Sequence, residues 1–392
     1  MRAEVAAAER HKEVRDAGRS WRRASLVSDE ASSRIASLYP DDRRRFGPGF
    51  RALAFIFTGV AAWAIIGLSF LFAASDRESG VAWMFFWAIV LTFLTEIQTG
   101  PLKRASAGAE SATALMAVFF FILGVLLQTD SFAANTAMIV GFAAASASGS
   151  LAAWRWGGRL FFLSAAASVF GLFTQTDHGR LLWIVFSSLL IPASLLAARD
   201  SRRAPSHRKG AMIVGAVAIL ALYAALHIWS WDHRVIESLN LTSASTWHSQ
   251  APLPFRPVAI LATALLPLIF LMMGWSRREP LLLYSGLLLT AVSIATLRLY
   301  HALLPLSIAL ILVGAVCLTL ALSVRRWLRS GDKGERDGFT ADPLFDNSNR
   351  TDAIRSVVAM ASFTPAAETE SARPTFEGRG GNFGGGGATG GF

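Results

Sequence analysis

The residues best suited to chemistry in this 392-residue chain gather at the ends of its apolar stretches. The segment HIWSWDH, His227 to His233, sets two imidazoles six residues apart with Asp232 beside the second. Imidazole titrates near neutral pH and a neighbouring carboxylate orients it, so the group has the parts of a proton relay or an anion site. Six residues fit one helical face poorly, and both rings would hold a single metal only if the helix broke between them. A second group, Arg298, Tyr300 and His301, closes a later apolar stretch and meets the first if the two helices are neighbours. His227, Asp232, His233, Arg298, Tyr300 and His301 are therefore the candidate outer-face site, weighed against ordinary polar caps at a water interface. No Walker loop, HExxH, GxSxG or paired-histidine zinc spacing occurs, so no catalytic residue, metal or cofactor is expected.

The elements that position these groups follow from composition. Hydrophobic residues make up 53% of the chain and charged ones 16%, and the mean hydropathy is +0.44. These values predict an all-α fold, a polytopic transmembrane helix bundle. A helix needs roughly 20 apolar residues to cross a bilayer. About ten stretches approach that length: 52–74, 81–97, 111–128, 133–153, 159–176, 180–198, 211–229, 257–275, 280–297 and 302–324. Alternate loops hold eighteen basic residues against five in the others, which predicts that both termini lie in the cytoplasm. The net charge of +10 is spread over those loops, and this points to the lipid bilayer as partner and away from nucleic acid. Small-residue runs such as 141–149 and 164–171 predict close helix packing, and the same faces suit a homo-oligomer. Glu96 and Glu110 flank a loop carrying Lys103 and Arg104, with which local pairing is expected. Pro192, Pro267 and Pro305 interrupt apolar stretches and free backbone carbonyls.

Three regions result. Residues 1–50 read as a cytoplasmic helical module, with a first helix over 3–16, a break at Ala17-Gly18, and a second helix capped by Ser28 and closed by Pro40. It holds too little apolar surface for its own core and is expected to dock on the membrane or on a cytoplasmic loop. Residues 51–329 form the ten-span domain, and 330–392 a disordered cytoplasmic tail, Gly-rich from 378, with one short helix over 352–361.

WRRASLVSDEASSRIASLYP, from Trp21 to Pro40, followed by basic residues and apolar spans, resembles the start of the bacterial DUF2157 family of multi-pass membrane proteins. Ser75-Asp76-Arg77 stands where such proteins often carry an Asn-Trp pair. The tail GGNFGGGGATGGF is similar to the glycine-rich C-termini of TPM-domain membrane proteins, without the domain itself. Neither likeness implies an activity. The expectation is an integral protein of a bacterial inner membrane that acts without catalysis, as a scaffold or envelope-associated component with protein partners at its cytoplasmic ends. The alternative is a small-molecule transporter or channel using the His/Asp/Arg cluster. An intramembrane enzyme would need two of those groups within hydrogen-bond reach.

Overall fold

A computed structural model of the protein describes residues 3–23, 26–43, 45–73, 76–104, 107–129, 131–228, 255–301, 306–331, 335–336 and 339–340. Each of the ten apolar stretches is a helix: α3 (Pro48–Ala73), α4 (Arg77–Thr99), α5 (Ala109–Gln128), α6 (Ala134–Trp156), α7 (Arg159–Thr174), α8 (Gly179–Arg199), α9 (Pro205–Leu226), α10 (Phe255–Arg277), α11 (Pro280–His301) and α12 (Leu306–Arg329). Two helices precede them, α1 (Ala3–Arg23) and α2 (Asp29–Leu38), and Glu335–Arg336 pairs antiparallel with Phe339–Thr340. Seven of the ten, α3 to α6 and α8 to α10, are long and apolar enough to cross a membrane among the described residues. By contrast, α7 has 16 residues, about 24 Å at 1.5 Å per residue, short of a ~30 Å hydrocarbon core. Residues 229–254 and those beyond 340, with the helix expected at 352–361, lie outside the described residues.

The first helix does not break at Ala17-Gly18 as its sequence predicts. It runs through to Arg23, because α2 folds back against it and Gly18 is the contact: a Cβ there would stand 3.3 Å from Ile35 Cγ2. The second helix starts as expected, with Ser28 accepting from the Ala31 amide at 3.2 Å.

Apolar contact gives helices in lipid no advantage over contact with lipid chains, so their packing relies on close approach and hydrogen bonds. The small-residue runs supply the approach. A Cβ on Gly149 of α6 would meet Ser164 Oγ at 3.0 Å, and one on Gly171 of α7 would meet Phe142 at 2.5 Å. Between α10 and α11 the backbones themselves touch, with a Cβ on Gly274 only 2.5 Å from the Leu283 amide nitrogen. Gly108, which precedes α5, has a φ of +98°, and its Cβ would sit 2.1 Å from the Arg51 carbonyl of α3; no other residue fits there. Hydroxyls supply the bonds, as where Thr95 of α4 and Thr113 of α5 meet at 2.9 Å, both buried.

Chain reversals alternate the helix ends between the two ends of the bundle. At one end, α4 and α5 are pinned by Arg77, which donates to the Leu127 carbonyl at 2.6 Å; a cation there also suits the helix C-terminus. At that same end Trp183 of α8 donates to the Phe170 carbonyl of α7 at 2.9 Å. At the start of α4, Asp76 accepts from the Ser79 amide at 2.8 Å in a capping box, and the Ser79 bonds hold its carboxyl below the usual aspartate range.

Gly274→Val should destabilise the protein by about 2 kcal/mol or more, since backbone atoms of Leu283 cannot yield to the new side chain. Gly67→Val, where nothing lies within 4 Å of a Cβ, should leave the thermal midpoint in detergent nearly unchanged.

Candidate functional site

Five buried polar side chains, Tyr223, His227, Thr263, Ser293 and Thr296, meet where α9, α10 and α11 converge. Pro267 sits inside α10 and has no N–H, so the carbonyl of Thr263, four residues earlier, loses its helical donor. Ser293 of α11 supplies the missing hydrogen bond by donating its hydroxyl to that carbonyl. The Ser293 oxygen also meets Tyr223 of α9, whose hydroxyl lies 3.0 Å away. Thr263 Oγ1 accepts from the Ile228 amide at 3.0 Å and donates to the Ala259 carbonyl at 2.7 Å. One turn further along α11, Thr296 bonds His227 Nε2 at 3.1 Å and donates to the Val292 carbonyl at 2.8 Å. The His227 ring stands 4.8 Å from that of Tyr223. Below the polar layer, Ile219, Leu222, Phe270, Leu282 and Leu289 pack into an apolar core.

Of the six residues singled out from the sequence, the structure therefore brings His227 into a buried network, where Thr296 is its described hydrogen-bond partner. α9 and α11 are neighbours, as the proposed cluster required. Asp232 and His233 lie outside the described residues; Arg298, Tyr300 and His301 fall on the last turn of α11, where the backbone is described and the side chains are not. Tyr223, Thr263, Ser293 and Thr296 were missed by a search aimed at charge. Their signal was present in the hydroxyl–proline spacing Thr263-x-x-x-Pro267 and in Ser293 and Thr296 at i, i+3.

The basic end of the bundle carries a second constellation. Glu96 at the end of α4 receives Arg155 of α6 through two bonds of 2.7 Å, and Trp156 Nε1 donates to the same carboxylate at 2.9 Å. Among the described residues the ion pair of Glu96 is with Arg155 and not the local one expected with Lys103 or Arg104, because the carboxylate is turned across to α6 and Lys103 is bonded to Asp42. Glu110 also turns inward: its Oε1 accepts from the Ala107 amide at 2.9 Å while Oε2 has no described partner. Trp156 is thus a hydrogen-bond donor to the carboxylate that Arg155 neutralises. Arg199 of α8 pairs with Glu279, which lies between α10 and α11, and the rings of Trp275 and Trp327 close α10 on α12 at 5.6 Å.

The N-terminal module docks on this end. From α1, Glu9 accepts from the Ser206 amide at the start of α9 at 3.0 Å, Glu13 pairs with Arg208, and Arg10 donates to the Arg202 carbonyl at 3.3 Å. His11 ties α1 to the Pro40 carbonyl at 3.0 Å. The following segment grips the end of α4, with Arg43 donating to the Thr99 carbonyl at 2.9 Å and Asp42 on Lys103. The Lys103 ammonium holds the Asp42 carboxyl below the ordinary aspartate range.

Seven long apolar helices, held together by buried hydroxyls and small-residue contacts, make this a multi-pass helical membrane protein. No family model, curated protein or solved structure matches it. Among the described residues there is no group of three or more His, Cys, Asp or Glu side chains that would hold a metal ion.

Ser293→Ala should cost about 1–2 kcal/mol by leaving the Thr263 carbonyl unpaired. Pro267→Ala in the same chain should recover part of that loss, because the restored N–H rebuilds the helical bond; a thermal-unfolding double-mutant cycle reads the coupling. A second expectation concerns acid. A depressed folded-state pKa means that the Asp42–Lys103 contact contributes fully above the ordinary aspartate value of 3.8 and is lost as the pH falls through the lowered value. Protection factors of the amides of residues 41–43, exchange rates divided into their intrinsic values at each pH, should then fall at acid pH in the native chain, and Asp42→Asn should show the lower protection already at neutral pH.

Proposed function

We propose that this chain is a non-enzymatic scaffold of a bacterial inner membrane, crossing it ten times with both termini in the cytoplasm, and that its cytoplasmic platform is the N-terminal module. The observation that carries this reading is the two-sided anchoring of that module, through Glu9 and Glu13 on α9 and through Asp42 and Arg43 on the end of α4. A segment held at both edges presents a fixed surface. The surface has a use, since Trp21, Leu26 and Leu38 stay exposed on it and suit a protein partner. The loops assigned to the cytoplasm by charge are joined at one end of the bundle by cross-contacts, which supports the ten-span reading. The likeness of Trp21–Pro40 to DUF2157 and of the tail to TPM-type C-termini suits the same role.

A transport pathway at the α9–α11 junction has less support. The Ser293 hydroxyl is committed to the Thr263 carbonyl of α10 and those of Thr263 and Thr296 to carbonyls of their own helices, and described charged side chains of the bundle sit within the first or last two turns. Flux in reconstituted vesicles should accordingly be the same for the native chain and for His227→Ala.

Proximity labelling from an N-terminal fusion tests the scaffold. The native chain should mark a defined partner, and Trp21→Ala with Leu38→Ser should lose it at an unchanged membrane level. No partner from either cytoplasmic end, with an unaltered phenotype after deleting both, would overturn the reading.

A further inference from the structure

Between α3 and α5 runs an apolar groove of about 630 Å³, floored by Ala112 and Met116 of α5 and walled by Phe55, Gly59 and Trp63 of α3. It exists because Gly59 has no side chain and nothing within 4 Å of where a Cβ would lie. Trp63 closes its deep end, stacked on Phe120 at 5.5 Å and 25°. The groove faces outward, since α3 is the least buried of the seven long helices, at 6%.

Length and charge define the occupant. From Phe55 to Ala64 the lining spans ten residues, about 14 Å along the helix, or roughly half of a ~30 Å hydrocarbon core. That is the depth of one leaflet. Arg51, Phe55, Gly59 and Trp63 recur every fourth residue, which puts Arg51 on the same ridge one turn above the groove, at the basic end. Arg51 is exposed and has no ion pair among the described residues, unlike Lys103, Arg155, Arg199 and Arg208 at the same end of the bundle. A helix of a second copy would run the full length of α3, whereas this groove stops halfway and ends in a guanidinium.

We propose that the groove is a phospholipid site: one acyl chain lies between α3 and α5, and Arg51 holds the phosphodiester. The inference needs only that these helices lie in a bilayer, and it stands or falls apart from the scaffold reading. Trp63 is then the lipid's contact at mid-membrane, and Gly59 sets the width that admits a chain.

The test uses the full chain reconstituted with phosphatidylglycerol carrying brominated acyl chains. Trp63 fluorescence, isolated by difference from Trp63→Phe, should be quenched at a bromolipid fraction far below that expected of random contact. Gly59→Leu fills the groove where no atom opposes it, so it should fold normally and lose the preferential quenching. Arg51→Gln should weaken it roughly fivefold, the contribution of one basic group at an anionic headgroup. Native mass spectrometry should find one phospholipid retained by the native chain and none by Gly59→Leu, with diacylglycerol, which lacks the phosphate, washed away. Unchanged quenching in Gly59→Leu would overturn the site. So would equal retention of diacylglycerol, or a dimer of the native chain that Gly59→Leu dissociates.

Discussion

A backbone carbonyl inside a bilayer has no water to turn to, and the Thr263 carbonyl is the place where this chain meets that constraint most openly. Pro267 removes its helical donor, and α10 survives there because Ser293 of the next helix replaces it. The same requirement shapes the surrounding layer. Thr263 and Thr296 each return a hydroxyl hydrogen bond to their own helix and meet α9 with the same oxygen. Three helices are thereby fixed in rotation as well as in distance, since a slip of one residue would leave several buried polar groups unpaired at once. Elsewhere glycines do the corresponding work by steric means. The Gly274–Leu283 contact admits a single separation of α10 from α11, and Gly108 admits a single path for the chain between α4 and α5.

The acidic residues at the basic end play a part that their number conceals. Glu96, Asp42, Glu13 and Glu279 each reach a helix or loop distant in sequence, so the carboxylates link segments that apolar packing alone leaves free to slide. These pairs are partly exposed, and each contributes little by itself. Their value lies in register. A bidentate Arg155–Glu96 pair with an indole on the same carboxylate has one geometry, and it sets the end of α4 against the end of α6.

The helices were legible in the sequence because span length and loop charge are both read over many residues, and local errors average out. All ten apolar stretches are helical with ends close to those expected, and Ser28 caps α2 as its residue type predicts. The partners of polar side chains were not legible. Glu96 stands seven residues from Lys103 in sequence, yet it bonds Arg155, because the α4–α6 packing that brings them together is a tertiary fact. Gly18 looked like a helix breaker and is a contact, since propensity cannot tell a glycine that ends a helix from one that lets another helix approach. The network around His227 was half visible. The histidine drew notice through its chemistry, while the hydroxyls that hold it are common in apolar helices and become informative only when three helices place them together.

The bond between Glu13 and Arg208 spans 195 residues of chain. At a synthesis rate of about 5–20 residues per second, α1 leaves the ribosome some 10–40 s before the helix start on which it docks. During that interval its carboxylates have no basic partner on α9, and the module waits in water while α3 to α8 enter the membrane. Its strongly polar surface suits such a wait, because a segment of few apolar residues can remain unattached without aggregating. Docking of α1 is thus a late event in assembly, and it reports that the ninth helix has emerged and taken its place.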